Sequence, residues 1–343
     1  MNSTAPVEAA APATLESLQA LRALAALSVV LYHIDFIGRG AFGVDLFFVL
    51  SGFIICHVTA ADRRQFFRKR LIRIVPLYWL GTIFVFLLAL AAPSLLHTTS
   101  DSLTGLLKSL FFIPYEKESG RVYPVLFLGW TLNYEMFFYV VFSIALAVRA
   151  APAPVVCAGL LCVAVVAGKA ADIDSVAWRF YTDPMLLEFV LGILLYSAWR
   201  KWRRAWTRGP LIVPLAAALG AASALVGFSV DGSPNRFLLW GAPAGLMLGA
   251  ILCLETRVAF PVFVIALGDA SYSLYLLHPY LLKAIEKLTG PFDVLTVESS
   301  LAATACLVGS MAMALVSYRL FERPVMKYLR SRLTLRAAPA AAG

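Results

Sequence analysis

The stretch LYHIDFIGRGAFGVDLFFVLSG, residues 31–52, carries His33, Asp35 and Asp45 inside a predominantly apolar chain. Charge in such a setting is costly, and ionisable groups inside apolar spans are functional candidates by default. A neutral imidazole takes a proton near pH 7, which is what activating a hydroxyl requires. A carboxylate such as Asp45 is a candidate to orient that ring and stabilise the imidazolium. The competing reading is an interfacial polar pair that only fixes a turn. Arg22 precedes His33 by eleven residues. Three helical turns leave the two within about 20° of one face, so they look into the same region of a bundle.

Three other stretches have chemistry. FFRKRLIRIVPLY (66–78) is a basic amphipathic entry to an apolar span. Its Arg70 and Arg73, at i and i+3, share a face, and Pro76 suits an early helical position. Such a cluster either binds anionic lipid headgroups or forks onto the phosphates of a cofactor. GWTLNYEMFFYVVF (129–142) holds one carboxylate, Glu135, with nothing nearby in sequence to neutralise it. Its partner is expected from another span, an Arg of the cytoplasmic half or the His33 region. GDASYSLYLLHPY (268–280) places Ser271, Tyr275 and His278 at i, i+4 and i+7, one polar stripe on an apolar helix. That stripe serves either a substrate or interhelical hydrogen bonds alone. Glu322 and Arg323 read as a helix end, and His57 and His97 receive no role. No metal cluster, nucleophile elbow or phosphate-binding glycine loop is apparent.

The elements that must position these residues are membrane helices. The 343 residues are 61% hydrophobic and 14% charged, with mean hydropathy +0.81; soluble domains average about 25% charged. Segments 74–100, 150–168 and 209–230 lack any Asp, Glu, Lys or Arg, long enough for about 30 Å of hydrocarbon. The pattern predicts an all-α, polytopic membrane bundle of about ten transmembrane helices, near 18–35, 41–60, 75–92, 124–148, 152–169, 184–199, 210–229, 236–254, 258–285 and 297–319. The ninth contains Asp269, a candidate break.

Loop charge sets the orientation. DRRQFFRKRLIR has six basic residues and one acidic, RKWRRAWTR five and none, while the alternate loops are balanced. By the positive-inside rule both termini are cytoplasmic. The net charge of +9 is then topological, and nucleic acid is excluded as a partner. His33, Asp35 and Asp45 fall at the outer end of the first hairpin, whose Gly38, Gly40 and Gly43 make a tight turn. The Ala/Pro-rich residues 1–14 read as a disordered cytoplasmic tail, 15–326 as one membrane domain, and 327–343 as a basic cytoplasmic tail. The five cysteines lie in apolar spans and read as small buried hydrophobes.

In order along the chain, LRALAALSVVLYH, FGVDLFFVLSGF, FFRKRLIRIVPLYW, WTLNYEMFFY, SYSLYLLHPY and ERP resemble the acyltransferase 3 family of integral-membrane acyltransferases. The chain looks most like the family's exopolysaccharide O-acetyltransferases of the succinoglycan type. The resemblance implies an inner (plasma) membrane enzyme with no permanently bound cofactor. Its donor would be acetyl-CoA or another acyl-CoA. The acceptor would be a sugar hydroxyl on an exported or envelope polysaccharide or its lipid-linked precursor. Membrane lipid and polysaccharide assembly proteins would be partners. Carried over, His33 is the essential histidine, Arg22 its paired basic residue, and Arg70 and Arg73 the arginines that hold the CoA end. Glu135 is the acidic position of span four, and Asp45 and Ser51 fall in the matching block. His278 matches a less uniform position. A transporter or flippase for a lipid-linked glycan, or a scaffold in an export complex, is the rival expectation.

Overall fold

A computed structural model describes residues 15–34, 40–91, 102–117, 120–148, 150–171, 173–228, 235–289 and 297–333. Asp35, Gly38, His97 and the segments 1–14 and 334–343 lie outside these. Among the described residues the chain is helical and contains no strand. The elements are α1 (Glu16–His33), α2 (Gly43–Ala61), α3 (Phe66–Ala91), α4 (Leu103–Leu110), α5 (Gly129–Ala147), α6 (Ala153–Ala170) and α7 (Val176–Tyr181). There follow α8 (Leu186–Trp206), α9 (Ile212–Gly227), α10 (Ala242–Leu254), α11 (Val262–Asp269), α12 (Ser271–Thr289), α13 (Val297–Ser317) and α14 (Arg323–Leu333). Short π-helical turns, Phe237–Gly241 and Tyr318–Glu322, lead into α10 and α14.

Seven helices among the described residues are long and apolar enough to cross a membrane, or eight if α11 and α12 form one broken span. Those two meet at 75°, at the break that Asp269 suggests. The shortfall from ten has a physical source. The 16-residue α9 reaches only about 24 Å, and α1 carries Glu16, Arg22 and His33. Phe84, Leu87, Val163, Val166 and Leu219 are all more than half exposed on the outside of the bundle, whereas Leu21, Leu46, Phe53, Phe138 and Phe189 are sealed inside. A chain apolar on both its interior and its perimeter is a multi-pass membrane protein.

Within α3 the two faces separate by helical period. Tyr78, Thr82, Val85 and Ala89 are buried, and Leu80, Phe84 and Leu87 face outward. The basic stretch 66–78 is continuous with this helix, so Pro76 lies inside α3 and not near a helix start. A proline there removes one backbone hydrogen bond, and the Tyr272 hydroxyl donates to the Ile74 carbonyl in the same turn, 2.8 Å away.

The centre of the bundle is the crossing of α2 and α8. A Cβ on Gly52 would stand 2.2 Å from the Phe189 carbonyl oxygen, and one on Gly192 2.1 Å from that of Val49. Glycine alone permits backbones this close. Phe189 stacks on Phe48 of α2 and Phe138 of α5, at 4.7 and 4.5 Å between centroids, locking three helices that carry site residues. Gly40 and Gly43 turn out to serve packing as well: a Cβ on either would run into α1 backbone, at Ser28 and Ala25.

Candidate active site

A cavity of about 110 Å³ opens where α1, α2, α3, α5 and α12 converge. Arg70 and Arg73 of α3 line it, with Arg22 of α1, Glu135 of α5, and Ser271 and Tyr275 of α12. Six of the residues singled out in the sequence thus share one space. Arg22 donates from Nε and Nη2 to the Ser271 hydroxyl, at 3.1 and 2.9 Å. Arg73 is paired with Glu322, which is 3% exposed and also accepts from the Ser273 hydroxyl at 2.7 Å. Glu322 therefore does more than end a helix. It arrives from the π-helical turn before α14 to neutralise one arginine of the pair. Arg70 keeps its guanidinium over the Phe66 ring, 5.8 Å from the centroid, and its buried Nε has no acceptor among the described residues. Just outside the membrane, Lys69 and the Arg64 backbone N–H hold the Asp62 carboxyl below the usual carboxylate range, tying down the entry to α3.

Glu135 finds hydroxyl partners instead of the expected cation. It accepts from Ser51 of α2 at 3.2 Å and from Tyr139, one turn further along its own helix. Arg22 and Arg70 face it across the cavity. The cavity and its immediate wall hold three guanidinium groups against two carboxylates, an excess of positive charge suited to an anion.

Asp45 is the chief correction. It does not touch His33. Fully buried, it receives two hydrogen bonds from Arg236, from Nε at 3.0 Å and Nη2 at 2.8 Å. Arg236 in turn lies over the Trp240 ring, 4.9 Å from its centroid. Such a fork engages both oxygens of the carboxylate, and no hydrogen bond joins Asp45 to His33, whose ring nitrogen instead meets Val29 and His278. Glu188 of α8, also fully buried, stands against the Asp45 carboxyl, and no cationic partner of its own is paired with it among the described residues. A lone carboxylate in the apolar run LLEFVLG is the same signal that points to Glu135, so Glu188 was findable by that rule. Arg236 was not, because its loop position gives no hint of a buried partner.

His33 meets His278. The Nδ1 of His33 is 2.8 Å from the Val29 carbonyl and 3.2 Å from the Nε2 of His278. Phe127 and Tyr32 flank the ring edge-on, at 5.8 and 5.2 Å. Between the histidines and the arginine cavity stands Tyr275, whose hydroxyl is 3.0 Å from that of Thr131 on α5. All three members of the α12 stripe thus make cross-helix contacts, Ser271 and His278 with α1 and Tyr275 with α5. The cysteines are free thiols, and among the described residues no group of three or more His, Cys, Asp or Glu is placed to hold a metal.

The acyltransferase domain model matches residues 15–319. The exopolysaccharide production protein ExoZ of Rhizobium meliloti (strain 1021) is 38% identical over 310 residues, covering 85% of this chain and 92% of that protein. The O-acetyltransferase OatA of Staphylococcus aureus (strain NCTC 8325 / PS 47) is 23% identical over 354 residues, 92% of this chain but only 58% of that longer relative. No solved structure matches the chain. A helical membrane bundle, matched by the acyltransferase model over nearly its whole length, belongs to the acyltransferase 3 family and is a multi-pass membrane O-acyltransferase.

Proposed function

We propose that the protein transfers an acyl group, usually acetyl, from cytoplasmic acyl-CoA to a sugar hydroxyl of an exported or envelope polysaccharide or its lipid-linked precursor. Its place would be the cell inner (plasma) membrane. The observation that carries this reading is the convergence of Arg22, Arg70 and Arg73 with Glu135 on one cavity. Three guanidinium groups there suit the phosphates of a CoA donor. The polysaccharide acceptor is supported by the name and 38% identity of the Rhizobium relative.

The alternation of basic and balanced loops supports ten spans with both termini cytoplasmic. On that topology the arginine entry of α3 faces acyl-CoA, and His33 lies toward the outer face, where a glycan is presented. Eleven residues of α1 separate Arg22 from His33, about 16 Å along the helix axis. An extended pantetheine arm is thin enough to cover much of that distance through the bundle. In the reaction His33 takes the proton of the acceptor hydroxyl while its oxygen attacks the thioester carbon. The carbon–sulfur bond breaks, and the CoA thiolate recovers a proton as the sugar ester leaves. Arg22, Ser271 and Tyr275, which line the cavity, are the candidate donors for the developing oxyanion. An acyl-His33 relay is the covalent version of the same scheme.

The test uses membranes containing the wild type or His33→Ala, supplied with radiolabelled acetyl-CoA and the host's lipid-linked glycans. Base-labile label in the glycan with the wild type alone, at equal protein level, supports the reading. Equal labelling by both removes His33 from the chemistry. No labelling by either, across several acceptors, removes the donor or acceptor class proposed.

A further inference from the structure

α1 and α12 are joined by two polar rungs, Arg22 to Ser271 and His33 to His278. The second rung determines where its protons sit. The Nδ1 of His33 is 2.8 Å from the Val29 carbonyl oxygen, and the Nδ1 of His278 is 2.9 Å from that of Leu274. A carbonyl oxygen only accepts, so each Nδ1 must carry hydrogen. A neutral His278 then has its lone pair on Nε2, 3.2 Å from the Nδ1 of His33. The Nδ1–H of His33 is therefore shared between the Val29 carbonyl and His278, and the lone pair of His33 resides on Nε2. No hydrogen bond from a described residue occupies that nitrogen. No carboxylate pairs with His33 among the described residues, and Asp45, the carboxylate nearest in sequence on the described chain, is held on both oxygens by Arg236.

We propose that His278 is the positioning residue of acyl transfer: its Nε2 accepts the Nδ1–H of His33, holds the ring with Nε2 as the reacting nitrogen, and stabilises the imidazolium formed when the acceptor hydroxyl gives up its proton. This rests on the reading of His33 as the base. In that step the acceptor O–H bond breaks and its proton bonds to His33 Nε2. The acceptor oxygen bonds to the acyl carbon, the carbon–sulfur bond of the thioester breaks, and the thiolate leaves to take the proton from His33. His278 gains and loses no atom. It serves where a carboxylate stands in a serine-hydrolase triad, but as a neutral acceptor, which suits a site fully buried in apolar helices: His278 is 0% exposed.

The experiment compares His278→Gln, His278→Asn and His278→Ala with the wild type in purified, reconstituted protein, measuring kcat and the KM for acetyl-CoA. The side-chain oxygen of Gln reaches the place of a histidine Nε2, whereas that of Asn corresponds to Nδ1 and falls short of His33. His278→Ala and His278→Asn are expected to lose about 10²-fold in kcat, the scale of positioned acid–base catalysis, with KM for acetyl-CoA within about twofold. His278→Gln is expected to recover to within about tenfold of the wild type. Retention of wild-type kcat by His278→Ala, or equal rates for the Gln and Asn variants, overturns the proposal. If His278→Ala does not fold, the Gln and Asn pair decides alone. His33→Ala run alongside separates the two readings. An inactive His33→Ala with an active His278→Ala defeats the positioning role only, whereas an active His33→Ala defeats the base on which it rests.

Discussion

Arg236 grips Asp45 through two hydrogen bonds of 3.0 and 2.8 Å, and the pair joins the first turn of α2 to the entry of α10. Asp45 is entirely buried while the Arg236 side chain is 26% exposed. The arginine thus supplies the charge that lets a carboxylate exist at that depth, and a second buried carboxyl, Glu188, stands beside it. Removing one member of such a pair leaves an uncompensated charge, which costs more than the pair contributes when intact.

Arg236→Ala is accordingly expected to destabilise the protein by about 3–5 kcal/mol. Asp45→Ala combined with Arg236→Ala should cost less than the two single changes summed, with a coupling of about 0.5–3 kcal/mol. Unfolding of the four proteins in detergent provides the cycle. Strict additivity would show that the fork carries no energy.

Arg70 and Arg73 share a face but should respond differently to truncation. Arg73→Ala strands the buried Glu322 and is expected to lose about 3–5 kcal/mol of stability. Arg70→Ala breaks no ion pair among the described residues, so it should melt like the wild type. Its effect should appear in the KM for acyl-CoA, raised about tenfold or more, as one lost hydrogen bond to a charged phosphate implies. Melting curves beside saturation kinetics separate the two; a matching phenotype for both arginines would contradict the division.

Glu135→Gln keeps an oxygen that accepts from Ser51 and Tyr139 while removing a negative charge opposite Arg22 and Arg70. Folded yield should be unchanged and acyl transfer at least about tenfold slower. Wild-type turnover in this variant would place Glu135 among purely structural groups.

Gly192→Ala sets a Cβ 2.1 Å from the Val49 carbonyl oxygen, whereas Gly220→Ala meets nothing within 4 Å. Backbone cannot yield as a side-chain tip can, so the first change is expected to exceed the usual overpacking cost of about 1–3 kcal/mol. The second should be neutral or stabilising by up to about 1 kcal/mol, since alanine is the better helix former. Size-exclusion profiles and melting of both variants check the contrast, and a monodisperse, normally melting Gly192→Ala would refute the close crossing.

The apolar spans, the break at Asp269 and the inward stripe Ser271–Tyr275–His278 are legible from sequence because each is a local pattern. Hydrocarbon penalises any charge whatever its distant neighbours, and helical period assigns faces over three turns. The same rule selects His33, Arg22 and Glu135 and would also have selected Glu188.

Pairing is another matter. Asp45 lies twelve residues from the first helix's end yet is bound to Arg236, 191 residues away, and Arg73 and Glu322 are 249 residues apart. His33 finds His278 across 245 residues. Which residues must be polar is determined by the local sequence, since a buried charge costs the same wherever its partner lies in the chain. Which partner each one meets is decided only when the helices pack, because the crossings of α1 on α11 and of α2 on α8 depend on backbone approach at glycines, a property of two surfaces together and of neither stretch alone.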